Sequence, residues 1–267
     1  MRITDSLLVH GWRVYRRLGL HHVTRRILGT GPRAEKYLGR VKAQLKYLLR
    51  PRYVPQKALT GHYRNALKML IAQHGREGIG DYLEFGVYNG TSLICMYQAL
   101  EDLNLSHVRL FGFDSFEGLP PDEENHWGAG GRFSCDLETT RTILEREGVD
   151  LARVTLVKGF FADTLNDDMS RQIQKASVIM VDCDLYRSTV ECLAFSDSLI
   201  KDDAIVCFDD WYPLSERHMG EKRAFQEFLL ARESLQAKSI TSYTQNARTF
   251  ILTRIGAAGW FFALPLA

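Results

Sequence analysis

Residues 176–189 read Ala176-Ser177-Val178-Ile179-Met180-Val181-Asp182-Cys183-Asp184-Leu185-Tyr186-Arg187-Ser188-Thr189, and residues 204–211 read Ala204-Ile205-Val206-Cys207-Phe208-Asp209-Asp210-Trp211. The apolar runs 178–181 and 204–208 are short, rich in β-branched residues and bounded by polar ones, the pattern of strands buried on both faces of a parallel sheet. Between them, residues 188–199 have helical spacing, with Val190, Leu193, Ala194 and Leu199 on one side. The unit is therefore strand, helix, strand, with a right-handed crossover expected. Both strands end in carboxylates, so Asp182 and Asp184 share a sheet edge with Asp209 and Asp210, where open α/β sheets bind ligands. A single strand-end Asp often only caps a helix. Several together repel unless a cation or a shared proton offsets their charge, and oxygen donors point to a hard divalent ion, Mg²⁺ before Ca²⁺ or Mn²⁺.

Upstream, residues 63–73 carry a helical repeat of Tyr63, Leu67, Leu70 and Ile71, closed by Gly75. A strand over 81–87 follows, then Tyr88-Asn89-Gly90-Thr91-Ser92 and a helix over 93–103. Strand, glycine turn and helix N-terminus make a nucleotide-binding opening, with Gly86 and Gly90 admitting close backbone approach and the helix start offering free N–H groups at Thr91 and Ser92. The spacing is Glu84-x-Gly86-x-x-x-Gly90 rather than Gly-x-Gly-x-x-Gly. An acid inside the turn suits the cationic methionine part of S-adenosylmethionine better than a pyrophosphate. The next strand, 108–113, ends in Asp114 and Ser115, an acid placed for the ribose hydroxyls of an adenosine cofactor.

Residues 115–136 form a long loop rich in Gly and Pro that reads as a lid or binding loop, with His126 and Trp127 as candidate acceptor contacts. A helix over 137–148 leads to a strand over 154–157 and the turn from Lys158 to Leu165. Gly159 with Phe160 or Phe161 is placed there to pass the adenine, unless both rings simply anchor the next helix. Beyond Asp210, residues 211–222 read as a polar loop with Arg217 and His218, and 224–235 as an amphipathic helix. The runs 239–244 and 248–253 alternate as strands around Asn246-Ala247, closing the sheet with an antiparallel hairpin. The apolar tail, 256–267, carries Trp260, Phe261 and Phe262, and predicts burial at a homo-oligomer interface or against the N-terminal arm.

The 267 residues suffice for one α/β core with extensions. Three segments are expected: an arm over 1–57, a catalytic domain over 58–255 and the tail over 256–267. The chain's charge of +2 conceals a division. Residues 1–60 hold fourteen Lys and Arg against Asp5 and Glu35, a net of +12, which leaves −10 for the remainder. A basic, partly helical arm on an acidic body points to an anionic membrane face or a partner subunit for the arm, and argues against nucleic-acid binding by the whole protein. The five cysteines, Cys95, Cys135, Cys183, Cys192 and Cys207, have no zinc spacing, and three lie in or beside buried elements. This fits a reducing compartment and a cytoplasmic protein.

Taken together, five motifs resemble the macrocin and mycinamicin type of sugar O-methyltransferase. They are Leu83-Glu84-Phe85-Gly86-Val87-Tyr88-Asn89-Gly90, Phe113-Asp114-Ser115-Phe116-Glu117-Gly118-Leu119-Pro120, Gly159-Phe160-Phe161-Ala162-Asp163-Thr164-Leu165, Val181 to Thr189, and Asp209-Asp210-Trp211. The resemblance implies a Rossmann-like class I methyltransferase fold, S-adenosylmethionine and Mg²⁺ as cofactors, and a sugar-containing small molecule or glycolipid as acceptor. It implies a metal held by Asp182, Asp209 and Asp210, with Asp182 also the base, and Asp184 falls outside that set. Trp211 and the loop after it depart from the family, which there has Tyr then Gly. Two other readings compete. Asp182-Cys183-Asp184 looks like the nucleophile motif of haloacid dehalogenase phosphatases, although that motif opens its domain and here about 180 residues precede it. A non-enzymatic membrane-associated protein would leave the carboxylates unexplained. Deletion of residues 1–50 is expected to abolish salt-sensitive binding to anionic vesicles, and binding that survives deletion would exclude the arm as the anchor.

Overall fold

The computed structural model describes residues 54–120, 131, 133–212 and 220–256. The arm up to residue 53, His126, Trp127, Arg217, His218 and the tail with Trp260, Phe261 and Phe262 lie outside the described residues.

Seven strands form one sheet: β1 (Asp81–Phe85), β2 (Leu110–Asp114), β3 (Val154–Lys158), β4 (Ala176–Val181), β5 (Asp203–Phe208), β6 (Leu235–Ile240) and β7 (Arg248–Arg254), in the order β3-β2-β1-β4-β5-β7-β6. The first five are mutually parallel. β7 runs antiparallel between β5 and β6, the hairpin expected at the C-terminus. The helices are α1 (Gln56–His74), α2 (Thr91–Asp102), α3 (Leu137–Arg146), the short α4 (Phe161–Thr164) and α5 (Asp167–Ser170), α6 (Tyr186–Asp197) and α7 (Gly220–Leu230).

The period of two along each strand feeds two cores. Tyr82, Val178, Met180, Ile205 and Cys207 face one side and pack with Leu59, Tyr63, Leu67 and Leu70 of α1, Leu93, Ile94 and Met96 of α2, and Ile143 and Leu144 of α3. Leu83, Phe85, Ile179, Val181, Val206 and Phe208 face the other and meet Cys192 and Leu193 of α6 and Phe225 and Phe228 of α7. With both faces covered, β4 and β5 are almost wholly apolar, which is why they are legible as continuous runs, whereas β1 carries Asp81 and the buried Glu84.

Several boundaries differ from expectation. α1 begins at Gln56 rather than near Tyr63, and α6 begins at Tyr186 rather than Ser188. The helix expected over 224–235 ends at Leu230, and Leu235 opens an edge strand whose middle residues are exposed. An exposed edge removes the apolar alternation by which a strand is recognised. The strand expected over 239–244 is thus displaced toward the N-terminus, and residues 241–247 connect it to β7.

The order of connection reverses beside β1, which pairs with β2 on one side and β4 on the other. There the strand ends approach closely. Gly86 has φ +93°, and a Cβ on it would lie 1.8 Å from the Asp182 carbonyl oxygen. Gly86→Ala combines left-handed strain with a backbone collision. It is expected to destabilise the fold by at least about 2 kcal/mol in urea unfolding. An unchanged midpoint would show that β1 and β4 can separate there at no cost.

Candidate active site

The hydrogen-bond ladder continues past the strand ends and fixes the acidic residues. The Asp182 N–H donates to the Phe85 carbonyl (2.9 Å) and the Asp209 N–H to the Val181 carbonyl (3.1 Å). Carboxylate oxygens of Asp182, Asp209 and Asp210 all lie within 4.8 Å of one another, and all three residues are half-buried. Burial, then the charges of Asp209, Asp210, Asp184 and Glu84, push the Asp182 carboxyl well above the usual carboxylate range. Burial and then Asp210 raise Asp209, against which the Tyr243 hydroxyl, donating to Asp209 Oδ1, acts in part. Asp210 is raised by burial and by the Asp184 carboxyl, to which it is hydrogen-bonded. A donor set made only of carboxylate oxygens, each disfavoured as an anion without a counter-charge, fits a hard divalent cation.

Asp184 stands outside the mutual set of three, as expected. β4 stops at Val181, and Asp184 beyond it is left-handed at φ 59°. It supports Asp210 from the side.

Two residues at the centre escape a linear reading. Tyr243 comes from the connection between β6 and β7, where the sequence pattern reads as strand. Glu221, in the first turn of α7, is fully buried, and its Oε2 accepts the Asp210 N–H at 3.0 Å. An acid in a first helical turn ordinarily reads as a solvated complement to the helix dipole, so sequence offers no signal for its burial.

On the other side of the reversal point lie the residues read as a cofactor site. Asp114 ties two turns together: Oδ2 accepts the N–H groups of Val87 and Tyr88 (both 2.8 Å) and Oδ1 that of Phe116 (2.6 Å). Tyr88 is held left-handed at φ 51°, and its carbonyl accepts the Thr140 hydroxyl at 2.8 Å. Gly90 caps α2 in the left-handed region, and a Cβ there would strike Leu144 at 2.8 Å, so a substitution disturbs packing directly. Thr91 donates to Asn89 Oδ1 (2.7 Å) and Ser115 to the Gly118 carbonyl (2.7 Å). The Gly159 N–H donates to the Asp114 carbonyl (3.0 Å), which brings the β3 turn alongside. Of the two rings beyond it, Phe160 is exposed, whereas Phe161 meets Phe85 edge-on at 5.8 Å in the core.

Glu84 is fully buried: Oε2 accepts the Tyr82 hydroxyl and Oε1 the Ser92 hydroxyl, each at 2.6 Å. Its position two residues after Tyr82 turns it toward the same core. Burial pushes its carboxyl up to about 8, although both hydroxyls favour the anion.

Comparison with known proteins bears on this geometry. The family model described as macrocin O-methyltransferase (TylF) matches residues 47–237. A curated Streptomyces olivaceus protein, 8-demethyl-8-(2,3-dimethoxy-alpha-L-rhamnosyl)-tetracenomycin-C 4'-O-methyltransferase, is 31% identical over 141 residues, covering 49% of this chain. The match spans 53% of that relative, about half its length. Among solved structures, the O-methyltransferase NovP superposes with a TM-score of 0.62 at 21% identity, over 74% of this chain and 80% of that one. A calicheamicin methyltransferase superposes with a TM-score of 0.56 at 19% identity, over 88% and 91%. The fold is that of class I methyltransferases. Among the described residues no helix is long and apolar enough to cross a membrane.

Glu84 generates a test of its enclosed state. An acid with a folded pKa of about 8 against an ordinary 4.5 keeps its proton longer in the folded state. Its contribution to stability therefore falls as pH rises from the lower value to the higher and is level outside that window. Glu84→Gln has no such proton, so its urea midpoint is expected to fall less between about pH 5 and 8, by up to about 1.4 kcal/mol per pH unit. Equal slopes in the two proteins would mean that the carboxylate is solvated.

Proposed function

The chain belongs to the macrocin O-methyltransferase family, and from that premise we propose that it methylates a hydroxyl of a sugar-containing acceptor, using S-adenosylmethionine and Mg²⁺. The observation that carries the reading is the convergence of Asp182, Asp209 and Asp210 beside a glycine turn at the reversal point of the sheet. The name of the Streptomyces olivaceus relative, which specifies a rhamnosyl group and a 4'-O position, supports a sugar hydroxyl as acceptor.

When bound, S-adenosylmethionine supplies an electrophilic methyl on a sulfonium, and Mg²⁺ supplies a Lewis acid that lowers a hydroxyl pKa. The chain's own residues do the rest. Asp182, Asp209 and Asp210 would hold the cation, and a carboxylate oxygen of Asp182 would take the proton that the acceptor hydroxyl loses as its oxygen gains the methyl and the sulfonium–methyl bond breaks to leave S-adenosylhomocysteine. Tyr243 fixes the rotamer of Asp209 through its hydrogen bond. On the cofactor side, Gly86 and Gly90 with Thr91 form the turn, Asp114 sets the backbone of Val87 and Tyr88, and the exposed Phe160 offers a stacking face for adenine. Ser92 is aligned by Glu84, and Ser115 and Gly159 border the same crevice. Fixing the acceptor hydroxyl in the orientation for attack would supply much of the acceleration.

S-adenosylhomocysteine at 100 times its dissociation constant is expected to stabilise the protein by about 2.7 kcal/mol in a thermal shift assay. Asp209→Asn retains size and shape but loses charge. It is expected to lower methyl transfer by orders of magnitude and to leave S-adenosylhomocysteine affinity intact, with EDTA reproducing the loss in the wild type. Full activity in EDTA would overturn the metal assignment, and absence of S-adenosylhomocysteine binding would overturn the cofactor.

A further inference from the structure

Glu221 has a feature that packing does not account for. Its Oε2 is satisfied by the Asp210 N–H, but Oε1 is buried without a hydrogen-bond partner among the described residues. Leaving a buried acceptor unpaired costs about 1–3 kcal/mol, more for a charged one. An apolar residue would fill the same space without that cost, so the carboxylate calls for an occupant that none of the described residues provides.

Its position is imposed from two directions. Gly220 presses the start of α7 against the segment after β4: a Cβ there would lie 2.6 Å from the Tyr186 nitrogen and 2.8 Å from the Asp184 carbonyl oxygen. That contact delivers the next side chain beside Asp210. The charges acting on Glu221 are those of Asp210, Cys183, Asp182 and Asp209, with no cationic side chain among them. Three carboxylates thus face one another and a fourth stands behind them with one oxygen unused. The N-terminal end of an 11-residue helix tolerates this negative charge.

We propose that Glu221 is a positioning residue of the cation site, holding the Asp210 main chain through Oε2 and offering Oε1 to the water shell of the bound ion. This rests on the cation reading above and extends it to a residue outside the three ligands. Mg²⁺ keeps several waters when carboxylates bind it, and those waters need acceptors. Groups in this relation to a ligand set tune affinity and orientation without touching the ion.

The test uses the full chain with Mn²⁺ as probe, titrated by electron paramagnetic resonance without substrate. Glu221→Gln keeps an acceptor for the Asp210 N–H but not the charge, and is expected to weaken Mn²⁺ about 10- to 100-fold. Its S-adenosylhomocysteine affinity should be unchanged, and its melting temperature in EDTA equal to or above that of the wild type, since one repelling charge is gone. Glu221→Asp, with charge restored, should recover part of the Mn²⁺ affinity. Mn²⁺ affinity within twofold of wild type in Glu221→Gln overturns the proposal. So does a weakened affinity accompanied by a lower melting temperature in EDTA, which marks a purely structural role. A wild type that binds no Mn²⁺ overturns the cation reading itself, and this inference with it.

Discussion

The structure depends on the close approach of β1 and β4 where both strands end. Their parallel register carries Phe85 opposite Val181, and the next residue of each chain cannot diverge: Gly86 sits where a side chain would overlap the Asp182 carbonyl oxygen. A glycine at that point lets one chain turn toward α2 while the other presents a carboxylate. The glycine turn and the acidic centre are therefore neighbours through backbone geometry, with no contact between their side chains required. Because the reversal of strand order falls at the same place, the crevice it opens is lined by a glycine turn on one side and aspartates on the other.

Buried acids serve two opposite purposes within this short distance. Asp114 and Glu84 are surrounded by donors, three backbone N–H groups for the first and two hydroxyls for the second. They organise the turn and the start of α2. Asp182, Asp209 and Asp210 lie together, and besides burial a neighbouring carboxylate raises the cost of ionising each: Asp209 and Asp210 for Asp182, Asp210 for Asp209, and Asp184 for Asp210. Acids surrounded by donors rigidify a site, whereas acids crowded against one another are costly to ionise without a counter-charge. Tyr243, Asp184 and Glu221 approach this second group from three different elements, which limits how far the carboxylates can turn apart.

Membership of the macrocin O-methyltransferase family and the class I sheet agree with this arrangement. The match to the curated relative covers about half of that protein. Gly220 shows how the family frame carries features of this chain: its contact with Asp184 and Tyr186 depends on packing of α7 against α6, and that packing brings Glu221 to the centre.

Sequence alone determined the central sheet and the identity of the acidic centre. Strands buried on both faces are largely apolar and carboxylates at their ends share an edge, so β1, β2, β4 and β5 and the grouping of Asp182, Asp184, Asp209 and Asp210 were legible in one dimension, and the family motifs narrowed the four to Asp182, Asp209 and Asp210. The motifs also carried the family. Tertiary structure decided what depends on neighbours distant in the chain. It enclosed Glu84 between Tyr82 and Ser92, turned Phe161 into the core while leaving Phe160 exposed, and brought Tyr243 to Asp209 across 34 residues. It also placed β6 at an exposed edge, where no apolar alternation marks a strand, and buried Glu221, which in sequence is an ordinary acid of a first helical turn. Periodicity reports which face a residue occupies, but the partner across that face is set only when helices and strands pack.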